Sequence, residues 1–380
     1  MQDTNRWRVA LLALALLALL GALWGGLLRI GWRWPLLHAP LPLAHGPLIV
    51  GGFLGTLIGL ERAVALGKRW AYAGPLLTGT GALTLILGAP AWRGPLLITG
   101  GSLMLVLIFA AIIRQQPALF TVTMGLGALA WLIGNALWLA GWAIPLIVWW
   151  WLGFLVITIV GERLELSRVL PRRREQYALF GLALGLFCGG ILLSTIAFDG
   201  GVRLGGAGLI ALALWLARYD IARHTVRRAG LTRFIAVALL SGYGWLALGG
   251  WLALRFGGVM AGPAYDALLH AVFVGFVISM IFGHAPIIFP AVLRLPLSYD
   301  ASCYGPLVLL HASLMARLSG DLLGLVTIRK IGGLLNAVAI LLFFANTLRL
   351  SRRASQAARP AREMWHTEGA GGSSDACIDV

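Results

Sequence analysis

Charge is scarce in this sequence. Asp, Glu, Lys and Arg make up 12% of it, roughly half the share found in ordinary soluble domains. Acidic residues are the scarcer sign, 14 against 30 basic ones. The three cysteines, Cys188, Cys303 and Cys377, form no CxxC and no CxxCH. That excludes a thiolate metal site, a covalently attached haem and a disulfide framework. Histidine is limited to seven residues. What fills the chain is apolar: 59% of it is hydrophobic, and its mean hydropathy is +0.88. A single soluble core is excluded, and the composition reads as an all-α polytopic membrane protein.

Apolar runs predict twelve spans, at 9–29, 45–66, 72–90, 95–113, 118–140, 143–161, 176–197, 203–218, 232–255, 264–288, 303–319 and 328–348. The first resembles a signal peptide but has no convincing cleavage site after its apolar run, so it reads as a retained helix. The net charge of +16 does not point to nucleic acid, because the basic residues cluster in short loops. With the N-terminus in the cytoplasm, 21 Lys and Arg fall on inner segments and 8 on outer ones. That bias orients twelve spans with both termini inside, as in a bacterial inner membrane. Residues 1–350 form one transmembrane domain. Residues 351–380 turn small and polar and read as a disordered cytoplasmic tail.

Tryptophans gather at span ends, as at Trp32, Trp34 and Trp142, where they anchor the interface. Gly51, Gly55 and Gly59 form a small-residue ridge for close helix packing. Asn135 and Asn336 are interhelical hydrogen-bonders. Glu61 and Arg62 form an ion pair near the inner interface, with a proton path or a clamp for a haem propionate as the functional alternative. Pro286 and Pro290 are expected to break or kink span ten.

Histidine carries the chemical signal. His270 and His284 lie in the stretch YDALLHAVFVGFVISMIFGHAPIIFP, fourteen residues apart. On a regular helix that is about 21 Å of rise and only about 40° of azimuth. His45 opens span two, and His311 sits within span eleven. A membrane imidazole is costly unless paired, so these four are candidate ligands. His45 and His270 can bracket one outer-leaflet haem, although His270 is expected about 9 Å deeper into its span. His284 with His311 would hold a second haem, as in di-haem b-type cytochromes. A copper at His270, His311 and a third group is an open alternative. Tyr265 and Asp266, one turn before His270, can orient its ring. His38 reads as interfacial; His224 and His366 read as solvated.

The layout and two stretches resemble a known family. A histidine near the outer start of span two and an H-A-x-x-V-G run, here His270 to Gly275, look like the NnrS family. Those are haem- and copper-containing bacterial membrane proteins of the nitric oxide response. The resemblance implies that His45 and His270 are metal ligands. More distantly, the second-span histidine is similar to that of haem-copper oxidase catalytic subunits. There is no His-His pair and no H-x-H on span ten, so the three-histidine copper site of an oxidase is not reproduced. The expected function is haem binding, with b-type haem and possible copper, in nitric oxide handling or quinol-linked electron transfer. The redox partner is not readable. A proton-coupled secondary transporter that uses the same histidines is the rival.

Overall fold

The computed structural model describes residues 2–293, 296 and 298–357. Among these it is helical throughout, with no strand. Bilayer hydrocarbon leaves backbone groups no water to bond, and helices satisfy them internally. Among the described residues ten helices are long and apolar enough to cross a membrane.

In chain order the long helices are α1 (Gln2–Arg29), α2 (His45–Leu66), α3 (Ala73–Ile86), α4 (Arg93–Gln115), α5 (Leu119–Leu139) and α6 (Ile144–Leu166). Then come α7 (Arg174–Leu193), α8 (Phe198–Tyr219) and α9 (Gly230–Phe256). Helix α10 starts at Gly262 and continues without a break through Ser279–Leu293; α11 is Tyr304–Leu322 and α12 is Val326–Ala357. Two of the twelve are not among the ten. Helix α3 has only 14 residues, extended by a 3-10 turn over Arg69–Tyr72. Helix α11 carries His311, Arg317 and Asp321 within 19 residues.

Sequential helices pack as neighbours from α1 to α6, again from α7 to α10, and as the α11–α12 hairpin. Helix α10 touches α1, α2, α6, α9 and α11, which makes it the hub of the bundle. Helix α6 is the most buried of the spanning helices. Its Trp151 Nε1–H donates to Asn135 Oδ1 of α5 at 2.9 Å, as expected of Asn135. Asn336 of α12 donates to Leu310 O and Ser313 Oγ of α11. The glycine ridge of α2 packs as read: Gly51 faces Ile98, Gly59 faces Pro75, and Gly55 lies on the Trp131 ring. A side chain at Gly55 would overpack that ring, at a cost of about 1–3 kcal/mol. Gly67 ends α2 in the left-handed conformation, φ 68°.

Two expectations change. Pro286 and Pro290 lie inside α10 without ending it. Helix α12 runs through 357, so the first seven residues of the expected tail are helical; the rest of the tail lies outside the described residues.

Candidate functional site: a histidine pair across an intrabundle cavity

The segment between α1 and α2 folds back into the bundle. Leu41 is fully buried, and its carbonyl lies against Gly25. This sinks the start of α2, so His45 reaches α1 well inside its end. His45 Nδ1–H donates to Ala22 O at 2.7 Å. Ala22 is seven residues before Arg29, about 10 Å along the axis. Gly26 makes this seat possible, because a Cβ there would lie 2.7 Å from His45 Nδ1. His270 lies eight residues into α10, about 12 Å along its axis, and its Nδ1–H donates to Asp266 O at 2.8 Å. The depth mismatch expected from the sequence is thereby removed. The two rings face each other 6.3 Å apart between centres and 11° from parallel.

Both histidines precede π-helical runs, Leu48–Leu54 in α2 and Ala271–Ile278 in α10. Such wide turns inside α-helices are rare and recur at functional sites. His270 and His284 both line cavities walled by α2, the first with Val50 and Leu54 and the second with Leu54, Leu57 and Ile58.

The pair lines a cavity of about 490 Å³. Its walls include Val50, Leu54, Phe273, Val274 and Ile340, with Trp151 and Asn336. Three guanidiniums, Arg29, Arg317 and Arg329, line it as well. Arg317 forks onto the Asp266 carboxylate, with contacts of 2.9–3.1 Å. Asp266 thus holds His270 through its carbonyl and Arg317 through its carboxylate, whose Oδ1 is also 3.4 Å from His270 Nδ1. Arg329 Nε is 2.8 Å from Asp321 Oδ1.

The residues present fit a haem. With Nδ1–H of each ring given to a backbone carbonyl, the lone pair is on Nε2, the tautomer a metal needs. His45 and His270 would hold the iron with both Nε2 atoms turned toward it: two metal–nitrogen bonds of ~2.0 Å, with a further ~1.2 Å to each ring centre, come to roughly 6.4 Å, and the ring centres are 6.3 Å apart.

The other two histidines are used differently. Trp245 Nε1–H donates to His311 Nδ1 at 2.9 Å, which fixes the proton on Nε2, and Nε2–H donates to Ser241 Oγ at 2.9 Å. His311 keeps no free lone pair. His284 Nδ1–H donates to Met280 O, and its Nε2 accepts from Arg163 Nη1 at 3.3 Å. His284 and His311 share neither a cavity nor a partner, so the second haem pair is not assembled. Among the described residues no group of three or more His, Cys, Asp or Glu side chains is placed to hold a metal ion. His38 Nε2–H donates to Ile86 O at 2.8 Å and caps the end of α3.

His284 lines a second, smaller cavity of about 70 Å³ with Glu61 and Glu162. Arg62 pairs with Glu61 at 3.2 Å and with Glu162. Beside it Arg163 forks onto Asp220 at 2.8 and 2.9 Å, and Ser167 donates to the same carboxylate. The sequence reading saw only the Glu61–Arg62 pair. It also missed Gly26, the π-helical runs and Arg29. The one local cue available was the spacing of Asp266 and His270, one helical turn apart.

These helices and this cavity define a polytopic helical protein with apolar helices suited to a lipid bilayer. The chain belongs to the family described as Domain of unknown function (DUF8744), whose model matches residues 8–352. No curated protein and no solved structure matches it.

Proposed function

We propose that this chain is a membrane haem protein that holds one b-type haem between His45 and His270. The observation that carries this reading is the near-parallel histidine pair, 6.3 Å apart, with both Nδ1 atoms tied to backbone carbonyls. We place it in a bacterial inner membrane as twelve spans with both termini in the cytoplasm, counting α3 and α11 as crossings. A haem bound there supplies one-electron redox chemistry. The chain's own part is to fix both imidazoles in depth and tautomer and to surround the slot with Val50, Leu54, Phe273 and Val274. Asp266 and Arg317 brace His270 from behind. Nitric oxide or quinol-linked electron transfer is the setting this chemistry suits, in line with the resemblance to NnrS proteins. Both His45 and His270 would be taken up in holding the haem. Copper stays a proposal without a ligand set.

The test is a reduced-minus-oxidised visible spectrum of the purified protein, with metal analysis of the same sample. Sharp alpha and beta bands that are lost in His45→Ala and in His270→Ala are expected. A folded but colourless protein, made with ample haem supply, would overturn the reading. The second cavity, with Glu61, Glu162 and His284, favours a different reading, a proton-coupled transporter. Proton flux in proteoliposomes that depends on Glu61, from a haem-free protein, would establish it.

A further inference from the structure

The charges around the larger cavity do not balance within the protein. Three guanidiniums line it, and two carboxylates, Asp266 and Asp321, answer them. Arg317 is fully committed to Asp266. Arg329 Nε stands 2.8 Å from Asp321 Oδ1 as an ion pair, and its Nη2 stands 4.0 Å from Asp266. Arg29, at the end of α1, has no ion pair and no hydrogen bond among the described residues. It lines the cavity from the end of α1 and is itself exposed. That end of the cavity therefore carries a cation with no partner among the described residues.

We propose that Arg29 and Arg329 form a carboxylate subsite that takes the two propionates of the porphyrin, so that the ring lies with its propionate edge toward the end of α1. This rests on the haem reading. The chemistry is the pairing of guanidinium with carboxylate, which is fork-shaped and charge-assisted. It also supplies what the slot lacks. A haem brings two negative charges on one edge and an apolar macrocycle on the other, and the cavity presents Arg29 and Arg329 at one end and Leu54, Val274 and Ile278 at the other. In that orientation Asp266 and Asp321 stay paired with Arg317 and Arg329, and Arg29 gains the partner it does not have within the chain.

The experiment is an absorption titration of the full-length protein in detergent with haem b and with its dimethyl ester, which keeps the iron and loses both carboxylates. Wild type, Arg29→Gln and Arg29→Lys are compared. Arg29 makes no contact the fold depends on, so each variant is expected to fold; circular dichroism checks this. The expected result is that Arg29→Gln weakens haem b binding about tenfold, the loss of one charged pair. Arg29→Lys restores most of it, and the ester binds wild type and Arg29→Gln equally. Haem b binding that is unchanged in Arg29→Gln overturns the subsite and leaves the haem reading standing. So does an ester that is weakened by the variant as much as haem b is. Wild type that binds neither compound overturns the haem reading, and the subsite with it.

Discussion

Replacing Gly26 by alanine tests the site with one methyl group. The new Cβ would lie 2.7 Å from His45 Nδ1 and 2.8 Å from its Cε1. Heavy atoms of this kind rest at about 3.5 Å, so the imidazole must retreat by roughly 0.8 Å. That retreat would lengthen the 2.7 Å hydrogen bond to Ala22 O to about 3.5 Å, past the useful range. The local cost is about 1–3 kcal/mol of overpacking. A metal site tolerates ligand displacements of only about 0.2 Å, so His45 would no longer hold a metal together with His270. Haem content should fall at least tenfold, or the spectrum should change to that of iron with one axial histidine. The assay is the reduced visible spectrum and haem-to-protein ratio, with the unfolding midpoint in detergent measured alongside. Gly46→Ala is the control: it neighbours His45, but its Cβ would meet only Trp151, at 3.9 Å. Gly26→Ala with wild-type haem content and an unchanged spectrum would refute the argument that α1 seats the ligand.

Asp220→Ala leaves Arg163, 3% exposed, without its counter-charge; it should cost about 3–5 kcal/mol, read as a lowered unfolding midpoint. An unchanged midpoint would show that the pair contributes nothing. Asp266→Asn should also destabilise, by about 3 kcal/mol, because Arg317 loses its fork partner. It should keep the haem spectrum at low temperature, since His270 Nδ1–H is held by the main-chain carbonyl of that residue. His311→Gln should leave the haem spectrum intact and lower stability by about 1 kcal/mol through the lost Trp245 hydrogen bond. Loss of the haem bands in that variant would return His311 to the ligand set.

Hydropathy is a sum over neighbours in the chain, and it placed the long helices well. It could not see that α3 stops after 14 residues, because Gly88 turns the chain at positive φ while the apolar run continues. At the site, His45 and His270 were recognisable as unusual residues in apolar surroundings. Their meeting was not readable, because the depth of His45 is set by the buried turn at Leu41 and by the groove at Gly26, both tertiary contacts. Nor does any local pattern announce the eight π-helical residues after His270. The ion pairs were hidden by separation: Arg62 meets Glu162 across 100 residues, and Arg163 meets Asp220 across 57.

The arrangement of the two cavities bears on the choice between electron and proton chemistry. Leu54 lines both, with Ile278 on one side and Val277 on the other. The polar groups therefore sit in two clusters: Asp266, Arg317, Asp321 and Arg329 with the histidine pair, and Glu61, Arg62, Glu162, Arg163 and Asp220 with His284. Between them lie Leu54, Val274, Val277 and Ile278, which offer a proton no hydrogen-bonding step. A transporter needs a hydrated path from one side to the other, and this layer interrupts it. An electron needs no such path. A histidine pair separated by an apolar layer from a charged cluster suits one-electron chemistry better than proton transfer along a continuous path.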